Sequence, residues 1–259
     1  MLRRCLPWFG LFLLVFSFLY FLRMTPPARR LAQPHRPTPT GEEPLVIVLD
    51  PGHGGDDSGA MCGAIMEKDL ALDVAQRAEM LLREAGYKTV LTRDSDRYLS
   101  LAERAEVANA EKHSLFVSIH FNDGERAAAS GVETYFAARQ RTTAPGILGW
   151  LSFFQPAEPK PLLAQSESLA RFLQTALVEH TRAVNRGTKS AEFYVIRNVR
   201  HPAALVEGGF ITNPEDVTKL TTEKYRQEIA AAISDGIHRY RTLVAPNEPA
   251  LALAAPVTE

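Results

Sequence analysis

Cysteine is almost missing from this 259-residue chain, with Cys5 and Cys62 the only two. A disulfide-stapled scaffold and a cysteine-based zinc site are therefore excluded, and any metal must be held by histidines and carboxylates. There is no excess charge of either sign. Lys+Arg 29 against Asp+Glu 30 gives a formal net charge of -1, so nothing electrostatic points to nucleic acid as a partner. Internal repeats are lacking, and so is a short H-E-x-x-H zinc motif. With 46% hydrophobic and 23% charged residues, the composition excludes a wholly disordered chain, a collagen and a multi-span membrane protein. The length suits one domain with additions.

One long apolar run stands at the N-terminus. Cys5 to Leu22 (CLPWFGLFLLVFSFLYFL) is uncharged and lies between Arg3-Arg4 and Arg23. It is near the minimum length for a membrane-crossing helix, exceeds the usual apolar region of a signal peptide, and is not followed directly by an A-x-A-like site. Residues 1–23 are expected to form a signal anchor, with a cleaved signal peptide as the alternative. Arginines on both sides mean that the positive-inside rule does not fix the orientation. A Cys5 in or beside a bilayer cannot pair with Cys62, so no intramolecular disulfide is expected, and Cys62 reads as a small packed loop residue. Residues 24–44, with prolines at 26, 27, 34, 37 and 39, read as an extended tether. The folded domain is expected over 45–243, followed by a disordered Ala/Pro-rich tail over 244–259.

Within the domain, the apolar run from Leu45 to Asp50 suits a strand buried on both faces. A helical stripe from Lys68 to Ala85 is stopped by Gly86, and Tyr87 to Thr92 reads as a strand. Ser100 and Glu103 form a capping box that opens a helix through Ala110. Strands are expected from Ser114 to Phe121, Val132 to Phe136, Phe193 to Ile196 and Ala203 to Val206, with helices from Ala164 to Val184 and from Glu223 to Tyr240. This alternation implies an α/β fold whose largely parallel sheet carries helices on both faces. Ligands of such sheets collect beyond the carboxyl ends of the strands.

Polar residues stand at those ends. His53 follows the first strand in DPGHGG, His120 closes the third in SIHFN, and Glu207 ends the last in ALVEGG. Glu67 precedes the first long helix. Two imidazoles and a carboxylate are a sufficient set for catalytic zinc with a fourth position left for water. The glycines around His53 allow a sharp turn, and Asp50 is placed to accept the second ring N–H of a ligating histidine. Each has a plainer reading: an exposed loop histidine for His53, a core histidine for His120, a helix N-terminal carboxylate for Glu67. Glu207 is harder to dismiss, because a carboxylate at the end of a buried strand needs a partner or a role.

These residues sit within a wider likeness. Leu49 to Gly55, Ser58-Gly-Ala60, Glu67-Lys-Asp69, Thr92-Arg-Asp94, Ser118-Ile-His120 with Asn122, Gly131-Val-Glu-Thr134, Asn185-Arg-Gly187 and Pro202 to Asn213 together resemble the zinc-dependent N-acetylmuramoyl-L-alanine amidases of the amidase-3 type. The resemblance covers most of Leu45 to Tyr240. It implies a single catalytic domain with a twisted, mostly parallel six-stranded sheet, zinc held at His53, Glu67 and His120, and Glu207 as the catalytic glutamate. It implies peptidoglycan as substrate, cut between N-acetylmuramic acid and L-alanine. The chemistry expected is attack by a zinc-activated water, with Glu207 as general base and then general acid. The domain is then expected outside the cytoplasm, anchored in the periplasm or secreted after signal cleavage. His113, beside a strand, reads as structural rather than as a further ligand.

Asn122 and the arginines 93, 104 and 186 are candidates for shaping the site or meeting stem-peptide carboxylates, with internal salt bridges as the alternative for the arginines. The insertion 137–163 packs Ile147, Leu148, Trp150, Leu151, Phe153 and Phe154 into a short stretch. It reads either as a lid, an activator-docking site or a membrane-contacting patch, or as a locally packed loop. The rivals to an amidase are another zinc hydrolase of amides, such as a deacetylase or carboxypeptidase, and a catalytically silent wall-binding protein.

Overall fold

The computed structural model describes residues 45–124, 128–140 and 160–244. Expectations for the N-terminal run, the tether, the centre of the insertion and the tail fall outside them. Among the described residues no helix is long and apolar enough to cross a membrane. Strands are β1 (Val46–Pro51), β2 (Met61–Cys62), β3 (Ile65–Met66), β4 (Lys88–Leu91), β5 (Ser114–Asn122), β6 (Val132–Ala137), β7 (Asn185–Ala191) and β8 (Ala203–Phe210). Helices are α1 (Glu67–Glu84), α2 (Leu101–Ala110), α3 (Lys160–Thr181), α4 (Tyr194–Asn198), α5 (Pro214–Leu220) and α6 (Glu223–Val244).

Six strands form one sheet in the order β4-β1-β5-β8-β6-β7, while β2 and β3 make a separate small hairpin. Four of the five pairings are parallel, and β6 runs antiparallel to β8. The mostly parallel six-stranded sheet with helices on both faces is as expected. Strand alternation divides the side chains between two layers. Ile47, Leu49, Leu115, Val117 and Ile119 face the three long helices, α1, α3 and α6, which contribute Val74, Leu173 and Ile233 among others. Val46, Val48, Phe116 and Leu205 face only the short helices α2 and α4. Each fully buried Leu or Ile is worth about 1.5–3 kcal/mol, so the thick layer carries most of the stability. At the carboxyl ends of β1, β5 and β8 stand the half-buried His53, His120 and Glu207.

Local rules explain most boundaries. The Ser100–Glu103 capping box is formed, with the Glu103 N–H donating to Ser100 Oγ and the Ser100 N–H to Glu103 Oε2. One expected strand is wrong. Phe193 to Ile196 lies at the start of α4, not in the sheet, because Val195 and Ile196 are buried together on one side while Phe193 and Tyr194 stay exposed. The sixth strand is β7, whose sequence NRGTKSA has no apolar alternation because it is a half-exposed edge. The β2–β3 hairpin and α5 lie outside the expected elements. The third helix starts earlier than expected and ends at Thr181, before Arg182 turns to a φ of 56°. Cys62 is free and exposed in the hairpin, not packed.

Helices α3 and α6 pack closely at Gly236, where an added Cβ would lie 2.8 Å from Leu173 Cα. That contact is with backbone and cannot be relieved by a rotamer change. Gly236→Ala is therefore expected to lower stability by about 1–2 kcal/mol, overpacking outweighing the helix-propensity gain. Chemical denaturation measures it.

Candidate metal centre

Three distant stretches of chain meet at the carboxyl ends of the strands. His53 follows β1 with a φ of 59°, a left-handed conformation uncommon outside glycine. Glu67 is the first residue inside α1, and His120 lies near the end of β5. Both rings approach one carboxylate oxygen: His53 Nε2 is 3.1 Å and His120 Nδ1 2.9 Å from Glu67 Oε1. The rings stand edge to face with centroids 4.9 Å apart, and the possible ligand atoms of the three residues lie within 4.8 Å of one another.

The carboxylate is held from behind by backbone. The Ala60 N–H donates to Oε2 at 2.9 Å and the Phe121 N–H to Oε1 at 3.0 Å. Burial opposes its ionisation, yet hydrogen bonds from His120 and His53 keep the Glu67 carboxyl well below the usual carboxylate range. Burial likewise opposes charge on His53, but Glu67 and then Asp57 raise its pKa. Two glycines make the approach possible. A Cβ on Gly52 would fall within 2.7 Å of ring atoms of His120, and one on Gly59 within 2.6 Å of His53 Cδ2.

The loop bearing His53 is gripped from beneath by two arginines. Arg93 donates to the carbonyls of Pro51 at 3.0 Å and Gly52 at 2.7 Å, and Arg104 to those of Pro51 at 2.6 Å and His53 at 2.5 Å. Both are buried, and Asp50, fully buried, pairs with Arg104 at 2.9 Å. Thr92 and Ser118 hydroxyls donate to the same carboxylate at 2.6 and 2.8 Å. This corrects the expectation for Asp50: its oxygens face the arginine and hydroxyls, and the residue at His53 Nδ1 is Asp57, 2.9 Å away. Arg93 and Arg104 are internal ties, not substrate contacts.

Glu207 on β8 is in register with His120 on one side and Glu133 of β6 on the other. Its Oε2 is buried without a hydrogen-bond partner among the described residues. Burial, then the charges of Glu67 and Glu133, push its pKa well above the ordinary value. Glu133 is also buried but saturated, accepting from Asn122 Nδ2 at 2.6 Å, Tyr135 OH at 2.7 Å, Arg186 Nε at 2.9 Å, and Lys189 Nζ. Burial opposes its ionisation, but Lys189, Tyr135 and Arg186 keep its pKa below the ordinary value. Asn122 and Arg186 therefore meet at one carboxylate beside Glu207. His113 precedes β5 at the end opposite His120 and is not in the cluster.

Two imidazoles and one carboxylate suit a divalent transition metal. The glycine-lined cradle and the orphaned Glu207 oxygen fit an ion with a water beside it. The family model described as N-acetylmuramoyl-L-alanine amidase matches residues 47–239. The chain belongs to this family. It is similar to the Bacillus subtilis protein YqiI, 38% identical over 207 residues, which cover 79% of this chain and 90% of that protein. Among solved structures it resembles the amidase AmiC2 of Nostoc punctiforme, at 33% identity and a TM-score of 0.66, covering 78% of this chain and 99% of that one. It also resembles the CwlD amidase of Clostridioides difficile, solved in complex with the GerS lipoprotein, at 27% identity and a TM-score of 0.65, covering 76% of this chain and 98% of that one.

In this amidase His53, Glu67 and His120, singled out from sequence, lie together, with Glu207 in register beside His120. Asp57, Glu133 and Lys189 escape the sequence reading. A signal exists for Asp57, since G-G-D-D can fold back on itself. Gly54 and Asp57 indeed form a bridge that returns the carboxylate to His53. Asp50→Ala should be costly, because it leaves the Arg104 charge buried without its partner. A loss of about 3–5 kcal/mol is expected, read by urea denaturation of the full chain.

Proposed function

We propose that this amidase hydrolyses the amide joining the lactyl group of N-acetylmuramic acid to L-alanine in peptidoglycan, using zinc held by His53, Glu67 and His120 and proton transfer by Glu207. The observation that carries this is the convergence of both rings on Glu67 beside a buried glutamate oxygen with no partner of its own among the described residues. Mixed imidazole and carboxylate donors favour zinc among the common divalent ions. When bound, such an ion supplies Lewis acidity, which polarises the scissile carbonyl and acidifies a water.

The protein's own groups do the rest. Asp57 accepts the Nδ1 proton of His53 and so directs Nε2 toward Glu67. The backbone N–H groups of Ala60 and Phe121 fix the carboxylate that joins the two rings. Glu207, made more basic by burial and by neighbouring carboxylates, takes a proton from the attacking water and returns it to the alanine nitrogen. An amide nitrogen must be protonated to depart, so the second transfer matters as much as the first. Asn122 acts through Glu133 as a positioning residue.

The N-terminal run is proposed to anchor the domain to the membrane on the wall side. The insertion 137–163 is proposed to receive an activator; the CwlD relative's complex with a lipoprotein supports a protein partner, not its place of docking. Full-length protein should sediment with membranes and resist carbonate extraction. A shortened chain in the soluble fraction would instead mark a cleaved signal peptide. Deleting residues 146–154 should change stimulated activity, and an unchanged response would remove the activator role.

Digestion of purified peptidoglycan should release peptides beginning with free L-alanine, whereas a deacetylase or carboxypeptidase gives none and a silent binder gives no products. A chelator should abolish release and zinc restore it. Glu207→Gln should retain one equivalent of zinc by elemental analysis while activity falls about 100-fold or more. His120→Ala should lose metal and activity together. Near-native turnover by Glu207→Gln would exclude that residue as the proton carrier.

A further inference from the structure

Beside Glu207 the fold builds a second group whose cations hydrolysis as described does not use. Glu133 is 2% exposed yet carries a charge, and it is bound by two cations, Arg186 and Lys189, as well as two neutral donors. One cation would neutralise one carboxylate. The pair carries one positive charge more than Glu133 itself offsets.

Both cations are held in place. The Arg186 guanidinium lies over the Phe210 ring, 4.8 Å from its centroid, while its Nε holds Glu133. Neither of its Nη nitrogens has an acceptor among the described residues, and the side chain is 33% exposed. Lys189 Nζ stands 5.7 Å from the centroid of Tyr135 and bonds Glu133 with one of its three N–H groups. Its side chain is 41% exposed. Two part-exposed cations fixed on one carboxylate, with donors to spare, are the arrangement that recognises an anion.

The substrate decides which anion. The lactyl carboxyl of the muramic acid is consumed in the scissile amide and the sugars are neutral, so carboxylates lie on the peptide side of the bond. The second stem residue, a glutamate joined onward through its side chain, carries an α-carboxylate in its unamidated form. The strand spacing is of the same order as one residue of substrate. Glu133 and Glu207 are register partners on neighbouring antiparallel strands, their Cα atoms about 5 Å apart. A group one residue beyond the scissile nitrogen is displaced by about 3.5 Å of backbone plus its own reach.

We propose that Lys189 and Arg186, held on Glu133, form the subsite for the α-carboxylate of the second stem residue, with Glu133 as its positioning residue. This rests on the reading of the centre as a muramoyl-alanine amidase. It makes amidation of the wall peptide a determinant of cleavage.

The test compares two soluble disaccharide-pentapeptides that differ only in a free or amidated α-carboxyl at the second stem residue, using full-length protein loaded with zinc. The wild type should favour the carboxylate substrate by about tenfold or more in kcat/KM, chiefly through KM. Lys189→Gln and Arg186→Gln should each move that ratio toward 1, Lys189→Arg should recover much of it, and Lys189→Glu should reverse it. The ratio is read only from molecules that fold and turn over, so instability cannot imitate the result. A wild-type ratio near 1, a ratio that survives both substitutions, or equal losses on both substrates would overturn the subsite while the amidase reading stands. Release of no alanine-headed peptide from either substrate by the wild type would overturn that reading and the subsite with it.

Discussion

The buried pair of Asp50 and Arg104 is the interaction on which the rest of the site depends. A glycine-rich loop with successive left-handed residues cannot satisfy its carbonyls by sheet or helix pairing, and buried backbone groups left unmade are costly. Arg104 and Arg93 supply those missing donors at the carbonyls of Pro51, Gly52 and His53. Two guanidinium groups are tolerated there only because Asp50, with Thr92 and Ser118 completing its shell, offsets part of the charge. The outcome is a loop with glycine's range of conformations and little of glycine's freedom. That fixes His53 against a histidine from a neighbouring strand and a glutamate from a helix start.

The two layers divide the work. Long helices on one face bury most of the apolar surface, and the sheet's other face is covered by two short helices. Alternation along β1, β5, β8 and β6 then puts Asp50, Ser118, His120, Glu207 and Glu133 on that sparsely covered side. A row of polar residues on a central sheet would be destabilising if it were sealed. Here Asp50, Ser118 and Glu133 are buried and His120 and Glu207 half-buried, and each of them except Glu207 has a side-chain hydrogen bond to a neighbour among the described residues.

Much of this is legible in the letters. The apolar runs ending in polar residues mark β1, β5 and β8, and the helical stripes mark α1, α3 and α6. The quartet of His53, Glu67, His120 and Glu207 can be chosen because strand ends gather ligands in α/β sheets and because the blocks around them resemble a known family. What escapes detection depends on pairing. Strand β7 is polar throughout because it is a half-exposed edge, and no period reveals it. Glu133 reads as an ordinary outward residue of an alternating strand until β6 is seen to run antiparallel to β8, with β7 on its other side, which turns it toward Glu207. Closeness in sequence assigns Asp50 to a histidine, whereas the pleat points it at Arg104.

The separation of His53, Glu67, His120 and Glu207 along the chain also bears on what a partly made molecule can do. No contiguous fragment short of residues 53–207 contains all four groups, and Gly52 can nestle under the His120 ring only once β1 and β5 have zipped in register. On the proposed reading of these four groups, an incomplete thread carries no cutting centre, and the site exists only once those strands have paired.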